Sequence, residues 1–235
     1  MGLRPDAIKK IPLFSQLDNS LLIRIGSVST VVAVPAGEVL LRRGEVADSL
    51  NFLLEGRVTL SGAAIDGSSA IVDVLQPVSG VAIATVLGDL PCPISAQAVV
   101  ASLLLIVAAG PLRTLISRAP SLAGAVLREV ASDFGALMRQ VLDLKLRSTP
   151  QRLGCYLLEQ VEDPQADHAD FRLPFDKGLL AARLGCRQEN LSRAFATLRD
   201  VGVETHGARV TLHDVMALRN YALPDAPVGE DGMPL

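Results

Sequence analysis

Tryptophan is absent from the 235-residue chain and aromatic residues make up only 3% of it, which removes the stacked rings that usually hold single-stranded nucleic acid. Cysteine is almost as scarce. Cys92, Cys155 and Cys186 are widely separated and form neither a disulfide framework nor a paired metal-binding pattern, so no iron–sulfur cluster is expected. The histidines, His168, His206 and His213, all fall late in the chain. The longest apolar run, Ala98 to Ala109, spans twelve residues and contains a serine, short of the roughly 20 that cross a membrane. The N-terminal MGLRPDAIKKIPLF has no continuous apolar core and no small-residue cleavage site, so a cytoplasmic location with reduced thiols is expected. Nucleophile elbow, phosphate-cradling loop, metal-spaced histidine pair and matched acid pair are also missing, so no enzyme is expected.

What is present is a 49% hydrophobic composition, enough for a real core in one large or two modest domains. The most informative stretch is Asp176–Asp200, DKGLLAARLGCRQENLSRAFATLRD. Apolar residues recur at Leu180, Leu184, Leu191 and Ala194, small Ala181 sits where two helices would cross, and Gly185 frees the backbone for a tight turn. This is the pattern of a helix-turn-helix. On the second helix, about Gln188 to Arg199, Glu189, Ser192 and Arg193 share a face because residues three and four apart are neighbours. Arginine can pair with guanine, glutamate can accept from the cytosine amino group, and serine can contact several base edges. Between Phe171 and Arg199 there are six basic and two acidic residues, whereas the whole chain carries −3. The positive charge is therefore local, as a footprint on phosphates should be. Lys177, Arg187, Gln188, Arg199 and Arg209 complete the candidate DNA-contacting set.

Residues 149 to 213 resemble the DNA-binding domain of the Crp/Fnr superfamily of bacterial transcription regulators. Glu189, Ser192 and Arg193 stand where the Fnr branch carries its ExxSR readers, which implies recognition of a TTGA-type half-site in double-stranded DNA. Arg187 stands where a serine or threonine usually caps the recognition helix, so that helix start is expected to lack its side-chain acceptor, with Glu189 compensating through the helix dipole. The oxygen-sensing Fnr branch has an N-terminal cysteine cluster, and this chain has no cysteine before Cys92.

Upstream, residues from Val31 to Pro77 are rich in β-branched types and punctuated by Gly37, Gly44, Gly56 and Gly67, as short antiparallel strands with tight turns should be. Residues 11 to 110 resemble the cyclic-nucleotide-binding β-roll of the same superfamily. Aligned on its phosphate cassette, Ser79–Val99 puts Thr85 at the ribose-binding glutamate and Ile94 at the phosphate-binding arginine. A buried phosphate without a cation is heavily penalised, so cyclic AMP is not expected. Thr85, Cys92, Ile94 and Ser95 are the candidate effector-pocket residues. TPQRLGCYLLEQ and LPFDKGLLAARLGCRQENLSRAFATLRDVGV look most similar to the dissimilatory nitrate respiration regulators, which implies haem and a response to nitric oxide. Cys92, between Pro91 and Pro93, is then a candidate haem ligand. Its other reading is a small buried apolar residue.

From Pro120 to Arg147 the apolar period is helical: Ala123, Leu127, Val130, Phe134, Leu137, Val141 and Leu144 recur in steps of four and three. Such a seam, on a helix roughly 40 Å long, is expected to pair with a second copy. Ser148, Thr149 and Pro150 mark a hinge. PQRLGCYLLEQVE reads as a further helix, EDPQADHAD as a polar loop, and VGVETHGARVTLHD as a hairpin wing whose Arg209 faces either phosphate or solvent. The expected fold is α+β: a sensing roll over 1–119, a dimerisation helix over 120–147, a winged helix-turn-helix over 148–222, and a disordered tail over 223–235. RNA polymerase is an expected partner if the protein activates transcription.

Overall fold

Buried apolar residues between Ile8 and Ile25 close over one face of a sheet, and the segment that carries them is mostly helical. The computed structural model describes residues 5–63, 69–163, 165–173 and 176–223. It divides into two compact units, 1–138 and 139–235.

In the first unit, α1 (Pro5–Ile8), a 3-10 turn at Pro12–Phe14 and α2 (Asn19–Ser27) are followed by β1 (Ser29–Val34), β2 (Val39–Leu41), β3 (Ser49–Glu55), β4 (Val58–Ala63) and β5 (Ser69–Leu75). Then come α3 (Ile83–Leu87), β6 (Ser95–Ala98), β7 (Ser102–Ala108), α4 (Ala109–Arg118) and α5 (Pro120–Leu146). The strands form two antiparallel sheets, ordered β1-β7-β3 and β2-β6-β4-β5. The run Ala98–Ala109 becomes mainly β7, the central strand of the first sheet, which explains its near-continuous apolar character. Gly37, Gly44 and Gly56 have φ of 88°, 86° and 99°, as their turn assignments require; Gly67 lies outside the described residues. Gly56 is needed twice over. A methyl built there would stand 2.2 Å from Ser102 Oγ, a buried hydroxyl that donates to Val100 O (2.8 Å) and accepts from the Arg57 N–H (3.2 Å).

Two apolar clusters hold this unit. One gathers Phe14, Leu21, Leu22 and Ile25 with Leu50 and Phe52 of β3, Leu105 of β7, Leu112 of α4 and Leu122 of α5. Phe14 meets Phe52 edge-on at 5.2 Å, which adds ~0.5–1.5 kcal/mol to the area they bury. The second lies between the sheets and contains Leu41, Leu53, Val58, Val81, Cys92, Ala96 and Leu104. α5 runs as its apolar period predicts, ending at Leu146. Val126 and Val130 pack against the first cluster, so Val130, expected on the pairing seam, lies against the roll. Leu127 (70% exposed), Phe134 (64%), Leu137 (54%), Val141 and Leu144 are exposed, together with Met138 and Leu142. Burial, and for Glu129 also the charge of Asp133, raises the Glu129 and Asp133 carboxyls above their ordinary range.

The second unit continues with α6 (Thr149–Leu158), β8 (Ala169–Arg172), α7 (Lys177–Arg183), α8 (Gln188–Leu198), a 3-10 turn at Arg199–Val201, β9 (Val203–His206), β10 (Arg209–Leu212) and α9 (Val215–Ala222). Buried Leu153, Leu157, Leu180, Leu191, Leu198, Val210, Leu212 and Leu218 belong to this unit. The hairpin β9–β10 is the expected wing, with φ +64° at Gly207. The polar stretch EDPQADHAD is not loop throughout. Its last residues enter β8, which pairs with β10 and makes a three-stranded sheet. The division between units falls at 138/139, inside α5, rather than at the 147/148 boundary expected from the sequence. Of the expected disordered tail, residues 224–235 lie outside the described residues.

Candidate nucleic-acid interface

The turn between α7 and α8 is built from backbone hydrogen bonds that only a left-handed residue permits. Cys186 N–H donates to Ala181 O and Gly185 N–H to Ala182 O, each at 2.9 Å, with Gly185 at φ +62°. This is a Schellman closure of α7. A methyl on Gly185 would also approach Leu144 Cδ2 to 2.6 Å. Gly185→Ala is expected to cost at least ~1–2 kcal/mol from the left-handed backbone alone; a thermal melt indistinguishable from wild type would contradict this. Asp176 starts α7 by accepting from Leu179 N–H at 2.9 Å. Ala181, as expected of a crossing residue, is only 2% exposed.

α8 buries Leu191, Ala194, Phe195 and Leu198 and leaves Gln188, Glu189, Ser192 and Arg193 exposed on its other side. Arg187, its N-cap in extended geometry, makes no side-chain cap bond, and Glu189 is the acid of the first turn, as the sequence predicts. Gln188 leans toward α7, since a methyl on Gly178 would lie 2.9 Å from its Nε2. Lys177, Arg187 and Arg199 are exposed. Arg209 is exposed too, but β8 supplies it with a partner. Its Nε donates to Asp170 Oδ1 at 2.8 Å and Oδ2 at 3.0 Å, and its Nη2 bonds Oδ2 as well. The hydrogen bond from Arg209 holds the Asp170 carboxyl below its ordinary range. A phosphate contact by Arg209 therefore has to compete with Asp170, a partner that the loop reading of residues 162–170 hid. Glu204 is a second wing residue that the sequence left unmarked. Its two oxygens face His206 Nε2 and His213 Nε2, each at 3.0 Å, and the hydrogen bonds from His213 and then His206 lower its carboxyl. Among the described residues no group of three side chains is placed to hold a metal ion.

In the roll, α3 sits where the phosphate cassette was expected. Thr85 Oγ1 donates to Ala82 O at 3.0 Å and stands 3.2 Å from Cys92 Sγ. Cys92 is 1% exposed within the inter-sheet cluster, and its backbone is bound to the turn at Gly44 and Glu45 by bonds of 2.8 and 2.9 Å. Ser95 Oγ accepts from Arg43 N–H at 3.0 Å, and Ile94 is half-buried. Arg113 of α4 clamps the end of α3, donating to Val86 O (2.9 Å) and pairing with Asp89 (3.0 Å). Thr85, Cys92, Ile94 and Ser95 thus offer no cation to a phosphate. They do not fit haem either, because an axial thiolate needs an open sulfur and Cys92 is enclosed by side chains and hydrogen-bonded to Thr85.

The chain matches two families: the cyclic nucleotide-binding domain over residues 31–119 and the Crp-like helix-turn-helix domain over residues 151–221. Over 54 residues it is 43% identical to a cyclic nucleotide-gated potassium channel of Rhizobium etli, an alignment covering 23% of this chain and 15% of the channel. Among solved structures, a Ruegeria pomeroyi protein named for cyclic nucleotide binding is 28% identical, with 95% of this chain and 100% of that one covered at a TM-score of 0.62. FixK2 of Bradyrhizobium japonicum (19% identity, 85% and 100% covered, TM-score 0.69) and a CRP/FNR-family transcriptional regulator of Thermus thermophilus (20%, 83% and 99%, 0.64) share the fold. Among the described residues no helix is long and apolar enough to cross a membrane. With a cyclic nucleotide-binding-type domain followed by a Crp-like helix-turn-helix, the chain belongs to the Crp/Fnr family of DNA-binding transcription regulators.

Proposed function

We propose that the protein is an effector-responsive homodimer that reads an inverted repeat of TTGA-type half-sites in cytoplasmic DNA. The observation that carries this is the solvent-facing set Glu189, Ser192 and Arg193 on a helix whose opposite side is fully packed. Two such helices must lie about 34 Å apart to enter successive major grooves, which requires a symmetric pair of chains. The exposed stripe Leu127, Phe134, Leu137, Met138 and Val141 of α5 supports pairing, because a contiguous apolar surface of this kind is rarely left in water. As an activator, the bound dimer would present a surface to RNA polymerase. Thr85 and Ile94 in the cassette support an effector other than a cyclic nucleotide. Nitric-oxide sensing through haem at Cys92 is not part of the proposal, given the enclosure of that thiol.

Fluorescence anisotropy with a duplex carrying two inverted TTGA half-sites tests the reading. Preference over a scrambled duplex should be at least roughly 1,000-fold at physiological salt; equal affinity for both would sink it. Saturating cyclic AMP is expected to leave that affinity unchanged and to give no heat of binding in calorimetry. A stoichiometric heat would show that the cassette binds nucleotide without its arginine.

A further inference from the structure

We infer that Arg152 is a positioning residue for DNA reading: it ties the last turn of the long helix to the turn of the helix-turn-helix and so sets the direction of α8. The inference rests on the dimeric DNA-reading proposal above. Three helix ends converge on this side chain. Nη1 donates to Arg147 O, just past the end of α5, at 2.7 Å; Nε donates to Leu184 O, the cap of α7, at 3.0 Å; Nη2 reaches Thr149 Oγ1 in the first turn of α6 at 3.4 Å. The two carbonyls belong to the acceptors that a helix C-terminus leaves without internal partners. At α7 the Schellman bonds already engage Ala181 and Ala182, so Leu184 O is free to take an outside donor. A cation is favoured at both ends by the helix dipoles. Only the planar, multi-donor guanidinium can serve both carbonyls from one fixed plane; a lysine has a single nitrogen.

Other contacts point the same way. Leu144 of α5 lies against Gly185, close enough that a methyl there would clash. Arg147 pairs with Asp143 and donates through Nη2 to Leu223 O at 3.0 Å. Gln151 Oε1 accepts from both the backbone and the hydroxyl of Ser148 at 3.0 Å. The segment Ser148–Pro150, expected from sequence to be a hinge, is therefore bridged from both sides. The last turn of α5 and the reading motif form one body, with Arg152 at their junction.

The test compares Arg152→Met and Arg152→Lys with wild type on two probes: the duplex with two inverted TTGA half-sites and one with a single half-site. A positioning role predicts that Arg152→Met loses about tenfold or more affinity for the two-site duplex, the scale of a lost charged hydrogen bond, while single-site affinity stays within about twofold. Arg152→Lys, still charged, should recover only part of the loss. Equal losses on both duplexes accompanied by a lower melting temperature would reduce Arg152 to a scaffold residue and overturn the inference. So would unchanged two-site affinity in both variants. If wild-type protein itself does not prefer the two-site duplex, the dimeric reading fails and takes this inference with it.

Discussion

Leu137→Asp is expected to convert the protein to monomers and abolish specific DNA binding at concentrations where wild type saturates its site. Leu137 is 54% exposed and lies on the α5 stripe with Phe134, Met138 and Val141, so within one chain its replacement removes little packing, and the fold should stay within about 0.5 kcal/mol of wild type. Across a dimer seam the change occurs twice. Each copy forfeits roughly 1.5–3 kcal/mol of apolar burial, and two carboxylates would have to be desolvated as well. A combined loss of roughly 5 kcal/mol raises the dimer dissociation constant by more than about 1,000-fold. Sedimentation velocity should show half the wild-type mass with an unchanged circular dichroism spectrum. An unchanged mass would place the dimer contact elsewhere.

Arg193→Ala should remove one base contact from each half-site. A bidentate arginine–guanine pair is worth about 1–3 kcal/mol of discrimination, so a dimer would lose roughly 2–6 kcal/mol across its two half-sites. The side chain is exposed, and the hydrogen bond at this position, Thr197 Oγ1 to Arg193 O at 3.1 Å, uses only the backbone. Dimerisation and melting temperature should therefore be unchanged. Gel-shift titration against duplexes substituted base by base should show relaxed preference at one symmetric pair of positions; full retention of sequence preference would remove Arg193 from the reading set.

The reading motif was legible because its constraints are local. Gly185 falls where α7 must turn left-handed, and the buried positions of α8 recur at helical spacing. The same holds for the turns at Gly37, Gly44 and Gly56 and for the extent of α5, whose period has no interruption to misread. What was hidden depends on partners distant in sequence. Ala169–Arg172 has weak strand character alone and becomes β8 because β10 offers it an edge; only that pairing brings Asp170 to Arg209. α9 was not anticipated, although Asp214 caps it by accepting from Ala217 N–H at 2.7 Å. It packs so closely on α6 that a methyl on Gly154 would stand 2.8 Å from Ala222 Cβ. Thr85 and Cys92 were grouped by resemblance to the cassette, but their direct contact at 3.2 Å was not legible, since α3 must fold back before the two side chains meet. The expected boundary at Ser148–Pro150 marks where a helix stops. Where the units divide is decided by tertiary contacts, and Leu144, Arg147 and Arg152 assign the last turn of α5 to the reading unit.

The most direct test of the account is the stoichiometry and symmetry of the DNA complex. Sedimentation of the full chain with a duplex carrying two inverted TTGA half-sites should give a single complex of two chains per duplex, lost when either half-site is scrambled. One chain per duplex, or a complex indifferent to scrambling, would contradict a symmetric reader built on α5 and α8.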